Sequence, residues 1–189
     1  MLWVLPMNQR YMFLKSIVFA FFTSLFLLTA NQASAASAAS ASDNKWFKVS
    51  EGTATWLFFD IYQASLYVDS SKKSLPNNFL EDSELLKLKL CYLKEITPDI
   101  FIEGANKVLP KDISPQLKKE VERLHMAYKA VKPGDCYTLK YTPQDGTTLL
   151  LNDVPIFSSS APGFKAVYFG IWLGENPLSE DLKSNLIGN

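Results

Sequence analysis

The sequence predicts an α+β domain in which a large antiparallel sheet is covered on one face by helices. Residues 86–92 alternate between apolar and polar side chains, which is the period of a strand. Two helix-start signals, Thr97-Pro98 and Ser114-Pro115, follow that segment, and further strand patterns come after them. The order is therefore strands, helix pair, strand meander and helix pair, without the strand–helix alternation that a parallel sheet requires.

The first strands are predicted between Lys45 and Val68, a segment rich in aromatic and β-branched residues. Glu51-Gly52 interrupts this segment, and we interpret it as the break between two strands or the bend of one long hairpin. The polar stretch 70–78 predicts a loop before the strand at 86–92.

The central helix pair is predicted from its start and stop signals. A helix capped at Thr97 should run to about Leu109, with Asp99 at its positive end. A second helix should begin at Ser114 and end at Lys132-Pro133-Gly134, and its apolar residues fall on one face.

The last part of the chain predicts a strand meander and two more helices. Strands are expected at 137–141, 149–151 and 154–157, with turns at 144–146 and 152–153. An apolar stripe from Phe164 to Trp172 predicts a helix that ends at Gly174, and Asn176-Pro177 is expected to open a final helix through Leu186 to Gly188.

The N-terminal residues 1–41 predict a signal peptide with a small-residue exit segment, followed by one domain at 42–189. Arg10 and Lys15 precede an uncharged apolar run at 16–30, and Ala-x-Ala sequences follow it. An uncleaved membrane anchor is the alternative, although the run is short for a span of about 20 residues. Cleavage predicts a protein of the periplasm or a secreted protein, which contacts the membrane only through the segment that is removed.

The composition excludes several functional classes. After Ser42 the chain has 17 basic and 19 acidic residues and no basic stripe, so we expect no nucleic-acid partner. One histidine and two cysteines exclude a zinc ribbon and chemistry that needs several histidines, and no cofactor or metal is predicted. The single histidine, His125, is interpreted as a partly exposed helix residue.

The two cysteines, Cys91 and Cys136, both lie in predicted strands. Export permits a disulfide, which requires Cα atoms within about 7 Å of each other. The alternative is two small buried apolar side chains.

The candidate site residues come from the aromatic strand and its neighbours. Asp60 lies between Phe59 and Ile61, where a carboxylate is either an acid or base of raised pKa or a residue that faces solvent. Tyrosines among apolar residues either pack in the core or line a pocket for an apolar ligand with one polar end. They are Tyr62, Tyr67, Tyr92, Tyr128 and Tyr168.

Four segments together resemble the bacterial exported chalcone isomerase-like proteins. They are the strand from Gly52 to Tyr67, the strand at 86–92 with the Thr97-Pro98 helix, the strand start Pro133-Gly134-Asp135, and the run from Gly163 to Pro177 with Leu186-Ile187-Gly188. The resemblance covers nearly all of the chain after the leader. It implies an open-faced β-sandwich with a ligand cleft between a large antiparallel sheet and a helix layer.

The same resemblance implies that the isomerase chemistry is absent. Plant chalcone isomerases use an arginine on the strand before the tyrosine-containing turn, and preorganised positive charge suits the phenolate and enolate of that reaction. The corresponding position falls near Ser50, and the tyrosine and asparagine of the family's first helix correspond to Phe101 and Val108. The only arginine after the leader is Arg123 on the second helix.

Plant fatty-acid-binding relatives hold a carboxylate with an arginine and a tyrosine. Tyr62 lies near that tyrosine, the arginine is absent, and Lys48 could substitute as a point charge. We therefore expect a non-catalytic protein that binds a small apolar or amphipathic ligand, with Tyr62, Tyr67, Tyr92, Phe101 and Asp60 as candidate binding residues. The alternatives are an isomerase or lyase that uses Tyr62, Asp60 or Tyr92, and an envelope interaction protein without a ligand.

Overall fold

The computed structural model describes residues 45–188, which form one antiparallel sheet of six strands and four helices. Each strand pairs with its neighbours in chain order. The strands are β1 (Trp46–Trp56), β2 (Phe59–Asp69), β3 (Leu86–Tyr92), β4 (Cys136–Thr142), β5 (Gly146–Leu151) and β6 (Val154–Ser159). The helices are α1 (Pro98–Val108), α2 (Pro115–Ala127), α3 (Phe164–Leu173) and α4 (Glu180–Ile187). The predicted α+β class is confirmed, while the predicted signal peptide at 1–41 lies outside the described residues.

The sheet has one buried face, and strand β3 shows how the sequence selects it. Leu86, Leu88, Leu90 and Tyr92 are buried, whereas the residues between them are only half-buried. This alternation follows from the two-residue period of a strand, which places every second side chain on the helix side.

Helix α3 is the central helix of the core. Eight of its ten residues are buried, so it is apolar almost all round rather than on one stripe. Its one charged residue, Lys165, is fully buried and donates hydrogen bonds to the backbone carbonyls of Glu81 and Glu84. The Lys165 ammonium also lies 4.6 Å from the ring centre of Tyr141. A buried cation of this kind ties the loop before β3 to the start of α3.

The break predicted at Glu51-Gly52 is wrong, because β1 runs through it to Trp56. The hairpin turns instead at Leu57 and Phe58, whose φ angles of 46° and 71° lie in the left-handed region. Gly52 serves helix packing rather than a turn, since a Cβ atom there would lie 3.0 Å from Leu182 Cδ1 and from Asn185 Cβ of α4. The missing side chain lets α4 approach β1 closely.

Two helix boundaries also differ from the prediction. Helix α2 ends at Ala127 rather than near Lys132, and Val131 pairs with Ile96 in an isolated β-bridge. Helix α4 begins at Glu180 rather than at Asn176-Pro177. Its N-cap is Ser179, whose side chain accepts a hydrogen bond from the Leu182 N–H.

The predicted strand at 86–92, the first helix and the later turns are confirmed. Asn152 and Asp153 form the turn between β5 and β6, with φ angles of 49° and 65°. The Asn152 side chain accepts a hydrogen bond from the Cys136 N–H and donates one to Asp135, which fixes the start of β4 against this turn.

Cys91 and Cys136 form a disulfide between β3 and β4, with their Cα atoms 4.1 Å apart. The two residues are paired directly across the antiparallel strands, where Cα atoms are close enough for a bridge. Cys91 alternates with the buried residues of β3, so the bridge lies on the face opposite the helices. Within residues 45–188, no helix is both long and apolar enough to span a membrane.

Candidate ligand-binding cavity

A cavity of about 650 Å³ lies between the buried face of the sheet and the helices. Strands β1 to β5 contribute to one wall, while α1, α3 and the segments around them contribute to the other. Its volume falls in the range of small-molecule sites, about 300–1,000 Å³. Most of the lining is apolar, and its inner wall includes six aromatic side chains. They are Tyr62, Tyr92, Phe101, Tyr128, Tyr137 and Tyr168.

The strand register brings the first of these rings together. Tyr62 and Tyr92 are opposite each other on β2 and β3, and their ring centres are 5.5 Å apart. Phe101 of α1 lies 5.4 Å from Tyr92 and 5.5 Å from Tyr137, both edge to face. Tyr128 stacks on Phe101 at 5.0 Å. These are preferred aromatic geometries, so the wall of the cavity is well packed.

The hydroxyl groups of these tyrosines differ in their hydrogen bonding. Tyr137 donates to the Lys129 carbonyl at 2.9 Å and accepts from the Lys129 N–H at 2.8 Å. The Tyr128 and Tyr168 hydroxyls are 2.8 Å apart and share one hydrogen bond. Tyr62 accepts from Trp172 Nε1 at 3.1 Å. No hydrogen bond joins the Tyr92 hydroxyl to any residue in the described range, although Tyr92 is only 4% exposed.

These phenols are protonated at neutral pH, and burial moves the pKa of four of them still further from neutrality. It raises the pKa of Tyr62 to about 12, against the opposing effect of the Trp172 hydrogen bond. Burial also raises the pKa of Tyr92 and Tyr168 well above the ordinary range for tyrosine, and it raises the pKa of Tyr128. The tyrosines therefore act as neutral hydrogen-bonding groups.

The mouth of the cavity is formed by exposed side chains. Trp56 and Phe59, on either side of the β1–β2 turn, are 69% and 61% exposed, and Ile100 of α1 is 53% exposed. Lys94 and Glu95 are the only charged residues among the described residues that line the cavity, and both are exposed. The Lys94 ammonium lies 5.6 Å from the ring centre of Phe59. Positive and negative charge thus occur at the rim and not in the interior.

The structure brings three of the five candidate binding residues to the cavity: Tyr62, Tyr92 and Phe101. Tyr67 does not line the cavity, because it alternates with the buried Leu66 and Val68 and lies on the opposite face of the sheet. There its ring centre is 4.2 Å from the Lys87 ammonium. Asp60 is exposed and accepts a hydrogen bond from the Thr55 hydroxyl at 3.0 Å. Asp60 is therefore placed as a solvent-facing carboxylate.

Most residues of the cavity wall were not among the five candidate binding residues, and three of them are large aromatic side chains, Tyr137, Tyr168 and Trp172. Tyr137 was noted only as a strand residue and Trp172 only as part of a helix stripe, whereas Tyr168 was one of the tyrosines expected either in the core or in a pocket. The spacing of Tyr168 and Trp172 places them on one face of α3, which is a usable signal. Which face of α3 meets the cavity depends on tertiary packing, and no local pattern contains that information.

The positions at which the chalcone isomerase resemblance expects catalytic groups carry other contacts. The Ser50 hydroxyl donates to the Leu186 carbonyl, and neither Ser50 nor Val108 lines the cavity. Arg123 pairs with Glu120 on α2 and does not line the cavity. Lys48 pairs with Glu51 at 2.6 Å and also lies outside it. None of these basic groups is placed to hold an anion in the interior.

The single histidine lies behind the cavity wall. His125 is half-buried, with its ring centre 6.2 Å from that of Tyr128 and 6.1 Å from that of Tyr168. Burial lowers its pKa, and no group in the described part of the chain forms a hydrogen bond with its buried Nε2 atom. Within that part, no group of three or more metal-ligating side chains is arranged to bind a metal ion.

This chain matches one protein-family model and the fold of a solved plant protein. A family model described as chalcone isomerase-like matches residues 21–188. No curated protein matches the sequence. The crystal structure of a fatty-acid binding protein from Arabidopsis thaliana matches with a TM-score of 0.60 and 11% sequence identity, and the match covers 76% of this chain and 87% of that chain. At this identity the structural match shows a shared fold alone.

Proposed function

Since the chain belongs to the chalcone isomerase-like family, we propose that it binds a small apolar or amphipathic ligand in the cavity between sheet and helices, and that it does not catalyse a reaction. The observation that carries this proposal is the cavity itself. Its volume of about 650 Å³ suits a small molecule, and its lining is almost entirely apolar. The similar fold from Arabidopsis thaliana is named a fatty-acid binding protein, which agrees with a ligand of this kind.

The hypothesis of an isomerase or lyase has less support. Such an enzyme would require a general acid or base near its substrate, with a pKa near neutral pH. Tyr62 and Tyr92 have raised pKa values and no charged partner in the cavity, and Asp60 is outside it. The only charged lining groups within residues 45–188 are the exposed Lys94 and Glu95.

The hypothesis of an envelope interaction protein without a ligand would be favoured by a large exposed apolar patch and no cavity. The turn of the β1–β2 hairpin does expose apolar side chains, with Phe58 99% and Leu57 64% exposed. These residues adjoin Trp56 and Phe59, which line the mouth of the cavity. The patch is thus continuous with the mouth of the cavity, which supports ligand binding over an interaction surface without a ligand.

Export to the periplasm or the medium of a bacterium is part of the proposal. Its support is the leader pattern at 1–41 and the paired Cys91 and Cys136, since disulfides persist in oxidising compartments. The mass of the protein recovered from a periplasmic or culture-medium fraction tests it. A mass that corresponds to cleavage near Ala35 or Ala38 supports export, and an intact N-terminus contradicts cleavage.

The binding proposal is tested by extracting ligands from the purified protein for mass spectrometry and by measuring melting temperature across a lipid panel. Binding should also increase the fluorescence of N-phenyl-1-naphthylamine, an uncharged hydrophobic probe. Ala105→Leu introduces a larger side chain at a residue that lines the cavity, so it should weaken binding. Asn106→Leu, at an exposed position of the same helix, is the matched control. No extracted molecule, no thermal shift and no probe binding would together contradict the proposal.

A further inference from the structure

The hydroxyl of Tyr92 indicates which polar group a ligand carries into the cavity. Tyr92 is 4% exposed and lines the cavity, and its hydroxyl has no hydrogen-bond partner among residues 45–188. Within residues 45–188, His125 Nε2 is the only fully enclosed side-chain polar atom without a partner, so the Tyr92 hydroxyl is still accessible from the cavity. A ligand that fills the cavity would remove water from this hydroxyl, which is costly unless the ligand supplies a hydrogen-bond partner. A ligand oxygen that accepts a hydrogen bond from Tyr92 would satisfy this group.

Neighbouring hydroxyls add to the donors in the wall. The Tyr62 oxygen already accepts from Trp172 Nε1 at 3.1 Å, which leaves its own hydrogen available. Of the Tyr128 and Tyr168 hydroxyls, one donates to the other across 2.8 Å, so one further hydrogen remains. The wall around Tyr92 is thus rich in neutral O–H donors.

No cation accompanies these donors in the interior. Lys94 is the only basic residue among the described residues that line the cavity, and it is exposed at the mouth next to Glu95. A carboxylate drawn into the interior would lose its hydration without gaining a charged partner, which disfavours binding strongly. A carbonyl or ester oxygen carries no such penalty and needs only a donor.

We propose that the cavity selects an uncharged apolar molecule with a hydrogen-bond acceptor, such as a ketone or an ester, and that the Tyr92 hydroxyl donates to this acceptor. The proposal rests on the function proposed above and narrows it to one ligand class. It gives Tyr92 the role of a specificity-determining residue and leaves carboxylates of the same chain length as weaker ligands.

The test compares three molecules of similar size at pH 7 by displacement of N-phenyl-1-naphthylamine from the purified chain. Methyl laurate is an uncharged acceptor, laurate carries a carboxylate, and dodecane has no acceptor. Methyl laurate should bind at least about tenfold more tightly than laurate. Tyr92→Phe should weaken the binding of methyl laurate about three- to tenfold and leave the affinity for dodecane unchanged.

Tyr67→Phe is the matched control, because Tyr67 lies on the opposite face of the sheet and should not affect any of the three molecules. Tyr92→Phe is expected to fold, since it removes a hydroxyl that has no partner in the described part of the chain. Equal binding of methyl laurate to Tyr92→Phe and to the unchanged protein would overturn the role of Tyr92. If laurate binds as tightly as methyl laurate, the selection for an uncharged acceptor is overturned. If Lys94→Gln then weakens laurate binding, the carboxylate of laurate lies at the mouth of the cavity.

The experiment also separates this inference from the function on which it rests. If all three molecules displace the probe with equal affinity, ligand binding stands and the selection for an uncharged acceptor fails. If neither the probe nor any of the molecules binds, the proposed function itself fails.

Discussion

Trp172 of the central helix donates a hydrogen bond to the hydroxyl of Tyr62 on strand β2, across 3.1 Å. This contact joins the two walls of the cavity, since Trp172 belongs to α3 and Tyr62 to the sheet. It is partly buried, and Trp172 is 9% exposed. The indole N–H can only donate, so Tyr62 is the group that satisfies it.

Removing the Tyr62 hydroxyl should therefore destabilise the fold. Tyr62→Phe keeps the ring but leaves the Trp172 N–H without its acceptor, and we expect a loss of about 1–2 kcal/mol in the free energy of unfolding. Urea denaturation measures it. Tyr67→Phe, which removes a hydroxyl from the other face, should change stability by less than about 0.5 kcal/mol. Equal stability of both variants would mean that the Trp172–Tyr62 bond contributes nothing.

Lys165 should make the fold more stable as pH rises from neutral towards 10. Burial lowers its pKa to about 8 in the folded protein, against the opposing effects of Asp82, Glu84 and Glu81. Between this value and its ordinary value of 10.5, the unfolded chain binds the proton that the folded protein has lost, so stability increases with pH.

The measurement is the melting temperature from pH 7 to pH 10, with Lys165→Met as the comparison. The variant should lose most of the increase, because it has no group to titrate at this position. An identical rise in the variant would show that another group is responsible. Above pH 10 the trend reverses, since the tyrosines with raised pKa, such as Tyr62 and Tyr92, ionise first in the unfolded chain.

Reduction of the Cys91–Cys136 bridge should lower stability substantially. The bridge joins residues 45 positions apart in the sequence. Closing a loop of that length restricts the unfolded chain and stabilises the fold by roughly 3–4 kcal/mol. Chemical denaturation with and without a reducing agent measures the difference. A variant with both Cys91→Ala and Cys136→Ala should match the reduced protein and not respond to the reductant. A thiol assay that finds two free cysteines in the protein before reduction would contradict the pairing.

Gly52→Ala should destabilise the contact between β1 and α4. A methyl group there would lie 3.0 Å from both Leu182 Cδ1 and Asn185 Cβ, closer than ordinary packing permits. The Leu182 and Asn185 side chains or the α4 backbone must move by a few tenths of an ångström, and we expect a cost of about 1–3 kcal/mol in the free energy of unfolding. Thermal or urea unfolding tests this, with Gly104→Ala as the control because its nearest neighbour is 3.9 Å away. An unchanged stability in Gly52→Ala would mean that α4 adapts freely.

The sequence signals were sufficient where a local pattern determines the structure. Strand β3 was predicted within its observed bounds because Leu86, Leu88 and Leu90 alternate with polar residues. The β1–β2 turn was missed because Leu57-Phe58 is not a dipeptide that favours positive φ, unlike Asn-Gly. Gly52 suggested a turn because glycine tolerates positive φ, but its observed role is to let α4 pack closely against β1.

The candidate site shows the same limit. The alternation along β2 separates the two tyrosines, since Ala64 and Leu66 lie on the face of Tyr62 whereas Gln63 lies on the face of Tyr67. That signal was available and would have excluded Tyr67 from the cavity. The approach of the α3 side chains to this wall depends on packing between distant segments. Periodicity within one segment does not predict such a contact.

The disulfide between Cys91 and Cys136 also bears on the order in which the sheet can assemble. Four strands (β2, β3, β5 and β6) follow their predecessors through a short turn or a polar loop, whereas two helices separate β4 from β3. Pairing β3 with β4 therefore has the largest entropic cost of loop closure among the strand pairs of the sheet, and we expect it to form most slowly. Cys91 and Cys136 are the last pair of the β3–β4 ladder. Once they are joined, β3 and β4 are held side by side at one end, so the strand pair with the largest sequence separation can form by local pairing from the crosslink.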